Sequence, residues 1–202
     1  PQLTRPLSYI TLWVAVAAMM LGTAQAQTTL IVSEDPTTST VWEEVLAPGG
    51  GSFFGDDLSD QQTGQGQDDM VGSATDPGFW IGQGTIAGEE SIGFRVQLDK
   101  VGNKTEYTGN FRIGLEIEGD DDVDLFLGPK LGGNANNQGI MFQLPGSDLN
   151  DAPNTTSLGN NTDRIAFTSD NYNYKVNPND PVDFNGTPDA ILTFALSFAD
   201  LN

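Results

Sequence analysis

Apolar and polar residues alternate along much of the chain after residue 27, with the period of two that is typical of a β-strand. In 92–98 the apolar residues occupy every even position, and in 111–118 they occupy every odd position up to Ile117. Such a segment buries one face of the strand and exposes the other. The pattern predicts strands at 92–98, 111–118, 123–127, 140–144, 165–167 and 192–198.

The remaining pattern also favours an all-β protein. Two weaker strand candidates lie at 28–33 and 40–46, and no amphipathic helix is predicted after residue 27. The connections are rich in Gly, Asn, Asp and Pro, which favour turns. We therefore predict an all-β fold, an antiparallel β-sandwich or jelly-roll. It forms a single domain over 27–202, truncated at its C-terminus, with a long polar loop over 47–79.

The N-terminal 26 residues have the features of a secretory signal peptide. Arg5 precedes an apolar run over 9–21, and small residues stand at Ala24 and Ala26. Small residues at these two positions are typical of a cleavage site, here between Ala26 and Gln27. The alternative is a membrane anchor, but the apolar run is shorter than the roughly 20 residues that a spanning helix needs. We expect the mature protein to be secreted or displayed on the cell surface, with no membrane insertion after cleavage.

Composition limits the chemistry and the partners. The chain has 28 acidic and 8 basic side chains, a net charge of −20, and neither His nor Cys. Nucleic acid is not expected as a partner, because binding to phosphates depends on Lys and Arg. Without His or Cys, the chain has no thiolate metal site and no Ser-His-Asp or Cys-His catalytic group. Carboxylate chemistry and metals that prefer oxygen ligands remain open.

The densest group of carboxylates lies between two predicted strands, where we expect a tight hairpin turn. Asp120, Asp122 and Asp124 have a spacing that allows alternate side chains of a loop to converge on one cation. Crowded carboxylates repel one another unless something neutralises them, and Ca²⁺ with oxygen ligands would do so. The segment lacks the Gly and Glu of an EF-hand loop. The alternative interpretation is a solvated acidic turn.

A second cluster precedes the last predicted strand. Asp183, Asn185 and Asp189, with Gly186 allowing a sharp turn, form part of a calcium-loop pattern. The alternative here is an ordinary turn rich in Asp and Asn, since these residues are common in turns. We retain both clusters as candidate Ca²⁺ ligands.

Aromatic residues in or near predicted loops form a further candidate site. Exposed rings beside Asn, Asp and Gln could stack on sugars while the polar groups bind hydroxyls. The candidates are Phe53, Phe54, Trp80, Tyr172 and Tyr174. For Trp80 and its neighbour Phe79 the alternative is a place in the core of the sandwich, because Pro77 and Gly78 resemble the turn into a strand.

Four segments resemble a group of poorly characterised domains from large bacterial proteins that are exported by type I secretion or anchored at the surface by a sorting signal. The segments are 76–81, 92–98, 122–128 and 188–194, within a similarity that covers about 53–202. The resemblance implies a β-sandwich module in which the segments matching 120–124 and 183–189 are cation loops. It implies no catalytic activity. Val123, Thr187 and Pro188 depart from a full loop of this kind, where another Gly, Asn or Asp is expected.

Three hypotheses of function remain. The first is a non-catalytic extracellular or cell-surface module with a structural or adhesive role, stabilised by Ca²⁺, whose partners are glycans or other surface proteins. The second is a carbohydrate-binding module of a secreted protein that degrades polysaccharides. The third is a hydrolase with a carboxylate pair such as Glu116 and Glu118, a pattern with little specificity in an acidic β-protein. We predict no catalytic residues.

Overall fold

The computed structural model shows an all-β protein built from two antiparallel sheets. It describes residues 28–33, 41–45, 70–73, 77–99, 106–108, 111–115, 124–131, 138–145, 158–176 and 189–201. Within these ranges the only helix is a short 3₁₀ turn, Phe198–Leu201. The predicted fold class, an antiparallel β-sandwich, agrees with this architecture.

Nine strands are present in the described part of the chain. One sheet has five strands in the order β1-β2-β3-β9-β8, and the other has four in the order β4-β5-β6-β7. The strands are β1 (Trp42–Glu44), β2 (Phe79–Ile86), β3 (Glu89–Leu98), β4 (Ile113–Leu115), β5 (Leu125–Lys130), β6 (Gly139–Pro145), β7 (Leu158–Ile165), β8 (Tyr172–Val176) and β9 (Ala190–Ser197).

The main core contains residues of both sheets. Alternate residues of β3 and β9 supply one side of it, and Phe94 is the register partner of Phe194, with 5.3 Å between the ring centroids. The other sheet supplies buried aliphatic and aromatic side chains from β4, β5 and β6. This inner core comprises Phe79, Ile92, Phe94, Val96, Leu98, Tyr107, Ile113, Leu115, Leu127, Ile140, Phe142, Leu192, Phe194 and Leu196.

A second, smaller core covers the outer face of the five-stranded sheet. Gly82, Gly93 and Ala195 are register neighbours on three adjacent strands, and together they form a lane of small residues. The Trp42 indole lies over this lane, so a Cβ atom at Gly93 would be 2.6 Å from its Cη2 atom. This outer cluster comprises Leu30, Val32, Trp42, Trp80 and Ala195. Trp42 and Trp80 therefore occupy core positions.

The strands with strong alternation lie where the sequence predicts them. The segments 92–98, 140–144 and 192–198 fall largely within β3, β6 and β9. The prediction at 165–167 is wrong, because β7 ends at Ile165 and Phe167 lies in the connection to β8. There the Phe167 ring packs against Tyr172, with 4.2 Å between the centroids.

Part of the predicted polar loop at 47–79 is packed against the sheet. Met70 forms an antiparallel bridge with Leu98, and the backbone N–H of Val71 donates to the carbonyl of Gln97 at 3.0 Å. Val71 is fully buried. Apolar Met70 and Val71 follow directly after acidic residues, and burying the pair lets the chain run beside β3 before β2 begins. Residues 46–69 lie outside the described part.

Candidate functional site

The first acidic cluster joins two neighbouring strands, as predicted. β4 and β5 are antiparallel partners, with Leu115 opposite Leu125. The backbone N–H of Asp124 donates to the carbonyl of Leu115 at 2.8 Å, which extends this pairing by one step. Asp124 is partly buried at the start of β5. Asp120 and Asp122 lie outside the described residues, so convergence of the three carboxylates stays a prediction.

The second cluster ends in a buried carboxylate. Asp189 directly precedes β9 and has no exposed surface. The side-chain amide of Gln97, on the neighbouring strand β3, donates from Nε2 to Asp189 Oδ2 at 2.8 Å. The Asp189 carboxylate is therefore shielded from solvent. Asp183 and Asn185, the other two predicted ligands of this cluster, lie outside the described residues.

A second buried acid, Asp99, lies at the same end of the sheet. Leu98 is the register partner of Ala190, so the next step along the antiparallel ladder brings Asp99 opposite Asp189. Asp99 is only 3% exposed. Asp99 is not among the sequence-predicted ligands, although a signal exists: it continues the polar positions of β3 one step beyond the alternating segment.

The chemistry of this site follows from the burial of its acids. An ionised carboxylate that loses its water must gain hydrogen bonds or an opposite charge, or else take up a proton. Oxygen atoms of carboxylates and amides are the ligands that Ca²⁺ prefers. Asp99, Asp189 and Gln97 supply such atoms at the end of β3 and the start of β9. Within the described ranges, no three acidic side chains form a metal-binding group.

Arg95 occupies the same outer face of β3, between the acidic end and the small-residue lane. Its guanidinium carbon lies 4.0 Å from the centroid of the Trp42 ring. Nε donates to Thr193 Oγ1 at 3.1 Å, and Nη2 donates to the carbonyl of Val32 at 3.3 Å. Arg95 is 1% exposed. Arg95 therefore connects the segment 28–33, β1 and β9, and we interpret it as a structural residue.

The described aromatic candidates do not form an exposed face. Trp80 is 7% exposed and packs in the outer cluster, as the core alternative predicts. Tyr172 and Tyr174 are opposite Phe194 and Leu192 in the β8–β9 ladder, and both pack against the inner core. Tyr107, which is buried, stacks near Tyr174 with 6.0 Å between the centroids. Phe53 and Phe54 lie outside the described residues.

Burial changes the acid–base behaviour of Tyr172. Its hydroxyl is buried and has no hydrogen-bond partner among the described residues. Loss of solvent raises the pKa of Tyr172 well above its ordinary value, and the neighbouring Tyr174 and Glu106 raise it further. A phenol in this environment stays protonated at neutral pH.

Comparison with known proteins adds no relative. No family model, no curated protein and no solved structure matches this chain. Within the described residues there is also no helix with the length and apolar character of a membrane span. The resemblance to domains of exported bacterial proteins therefore stays a hypothesis, as do the signal peptide and the site of action.

Proposed function

We propose that this chain is a non-catalytic module of an exported bacterial protein, with a structural or adhesive role outside the cytoplasm. The two-sheet architecture, the net charge of −20 and the signal-like N-terminus support the proposal. In this proposal Ca²⁺ binds at the acidic connections and stabilises the module. The partners are glycans or other surface proteins.

The burial of Asp189 carries the calcium part of the proposal. Asp189 is fully buried beside Gln97 and at the level of Asp99, so side-chain oxygen atoms from two neighbouring strands lie at the same end of the sheet. Such carboxylate and amide oxygens are the ligands that Ca²⁺ prefers. Asp183 and Asn185, which precede Asp189 in the chain, are the proposed additional ligands.

Such a cation would stabilise the sandwich by joining segments that are distant in sequence. β3 and β9 are paired over eight positions, yet almost a hundred residues separate Gln97 from Asp189. A cation bound by the folded chain alone adds its binding free energy to the stability of the native state. It would therefore oppose separation of β9 from β3.

Thermal unfolding of residues 27–202 with Ca²⁺ and with EDTA, at fixed ionic strength, tests the proposal. Calcium at about 100 times Kd should add about 2.7 kcal/mol to the free energy of unfolding. Asp189→Asn should abolish this gain because it removes a charged ligand. Glu89→Gln, at an exposed position of β3, is the matched control and should keep it.

Equal melting temperatures in Ca²⁺ and EDTA would contradict the calcium part and leave the structural role to be tested separately. The carbohydrate-binding alternative now depends mainly on Phe53 and Phe54, because Trp80 lies in the outer cluster and the partly buried Tyr172 and Tyr174 pack against the inner core. Retention on polysaccharide that is lost in a Phe53→Ala, Phe54→Ala variant would favour that alternative.

A further inference from the structure

The short segment 28–33 lies on the outer face of the five-stranded sheet like an added strand. Its side chains alternate, with Leu30 and Val32 buried at 3% and 2% exposure and Ile31 46% exposed. The Leu30 N–H donates to the Thr85 carbonyl at 3.0 Å, and the Thr85 N–H donates to the Thr28 carbonyl at 2.9 Å. Two backbone hydrogen bonds and two apolar side chains thus hold the segment in its seat.

The seat is shaped by glycines of the two strands beneath it. A Cβ atom at Gly84 would lie 2.5 Å from the carbonyl oxygen of Thr28, and one at Gly82 would lie 2.8 Å from Leu30 Cδ1. At Gly93 a Cβ atom would lie 2.9 Å from Leu30 Cδ2. Contacts this close require a residue without a side chain. The outer face is therefore complementary to the segment 28–33.

This seat is separate from the inner core. The outer cluster of Leu30, Val32, Trp42, Trp80 and Ala195 shares no residue with the inner core, whose buried members all lie at or after Phe79. The segment can leave its seat without opening the layer between the two sheets. Residues 34–41 connect it to β1 in the sequence, and all of them except Val41 are polar or small.

We propose that segment 28–33 exchanges between two copies of this chain, so that the segment of one copy occupies the seat on the other. The contacts in the seat are the same whichever copy supplies the segment, and such exchange of an identical element is a low-cost route to a dimer. Pairing with the β2 edge gives affinity through the backbone, and the buried Leu30 and Val32 give register. This inference goes beyond the proposed function and needs no cation.

Two complementary variants of residues 27–202 test the exchange. Leu30→Asp with Val32→Asp gives a chain that cannot supply the segment but keeps its seat. Gly84→Leu gives a chain that keeps the segment but blocks the seat, because a Cβ atom at Gly84 would lie 2.5 Å from the Thr28 carbonyl oxygen and 3.0 Å from the Leu30 amide nitrogen. Each variant alone should be a monomer in light scattering, and an equal mixture should contain a complex of one copy of each.

Ile31→Asp is the control, since it places an acidic side chain on the same segment at an exposed position. This variant keeps both the segment and the seat, so it should form the exchanged dimer as the unaltered chain does. A mixture of the two complementary variants that stays monomeric, while near-ultraviolet circular dichroism shows both to be folded, would overturn the proposal.

A measurement on the unaltered chain covers the case in which a variant fails to fold. Copies labelled with two different dyes are mixed over a series of protein concentrations and warmed below the unfolding transition. Exchange predicts energy transfer between dyes and a dimer fraction that rises with concentration. Absence of energy transfer at every concentration would count against exchange.

Discussion

Tyr172 is the residue at which burial has the most direct consequence for pH dependence. Its pKa in the folded chain is raised from an ordinary value of 10.0, chiefly because the hydroxyl has lost its water. The unfolded chain releases this proton near the ordinary value, whereas the folded chain retains it. The unfolded state therefore binds fewer protons above about pH 10, and stability falls as pH rises. Below the pKa of Tyr172 in the unfolded chain, the hydroxyl is protonated in both states and causes no loss of stability.

We predict that Tyr172→Phe makes the loss of stability at high pH shallower. The variant lacks the ionisable group, so its unfolded state gains nothing from deprotonation at this position. Urea unfolding from about pH 8 to about pH 11.5 gives the free energy of unfolding for both chains. Groups that do not interact with Tyr172 titrate in the same way in both chains and cancel in the difference. Parallel curves across this range would contradict the raised pKa.

Arg95 shows where the alternating pattern gives a wrong account of burial. As a polar residue between apolar ones in 92–98, it should lie on the wet face of its strand. It does lie on the opposite face from Phe94, but Trp42 and Val32 cover that face. Alternation predicts which side of the sheet a residue takes. It carries no information about a distant segment that later packs over that side.

At the scale of the elements, Arg112, the residue directly before β4, forms hydrogen bonds that connect β4, β5 and β6. Arg112 Nη1 donates to the carbonyls of Phe111, Gly128 and Pro129 at 2.7, 3.2 and 3.1 Å, and Nε donates to Gln143 Oε1 on β6 at 2.8 Å. Burial lowers the pKa of Arg112, and the nearby Tyr107 acts in the opposite direction. One side chain thus joins three adjacent strands.

We predict that Arg112→Met destabilises the chain by about 1–3 kcal/mol, because carbonyls in a partly buried site lose a donor. Arg164→Met is the matched control. Arg164 is exposed and donates to the Gln138 carbonyl at 2.8 Å, so its loss should cost about 0.5 kcal/mol or less. Urea unfolding measures both. Equal costs for the two variants would show that Arg112 does not hold these strands together.

Alternation alone did not delimit β2, β7 and β8, for identifiable reasons, although Pro77 and Gly78 did indicate a turn into a strand ahead of β2. In β8, Tyr172 and Tyr174 alternate with polar residues, but a run of five with two tyrosines also fits an aromatic loop. In β2, Gly82 and Gly84 take the outer positions, where they make room for Trp42 and Leu30 and weaken the strand pattern. β7 lies at the edge of its sheet and pairs with one strand only, β6, so its sequence can be polar and lack an alternating apolar pattern.

The candidate site was predictable only in part. Asp189 belongs to a cluster that the spacing of oxygen ligands indicates, and it is found next to β9. Its neighbour Asp99 follows a strand more than eighty residues earlier, and only the register of β3 with β9 brings the two to the same level. Of the aromatic candidates, Tyr172 and Tyr174 lie in the short strand β8 and not in a loop, and Trp80 takes the core position that was its alternative.

At the scale of the whole molecule, the net charge of −20 opposes compaction. The charge comes from 28 acidic side chains against only 8 basic ones, so repulsion dominates at neutral pH. Folding brings these charges closer together than they are in the unfolded chain, and the folded state therefore carries the larger repulsive free energy. Dissolved salt screens exposed charges over about 10 Å at 0.1 M and about 3 Å at 1 M.

We predict that NaCl raises the free energy of unfolding between low ionic strength and about 1 M. The exposed Glu43, Glu44 and Glu89 offer a test of the cause, because their joint replacement by Gln removes three negative charges without touching either core. Urea unfolding at several salt concentrations should show a smaller salt effect in this variant. An equal effect in both chains would contradict charge repulsion as the cause.

Comparison of CaCl₂ with NaCl at equal ionic strength then separates general screening from binding at Asp189, since screening alone leaves the Asp189→Asn variant with the same response as the unaltered chain.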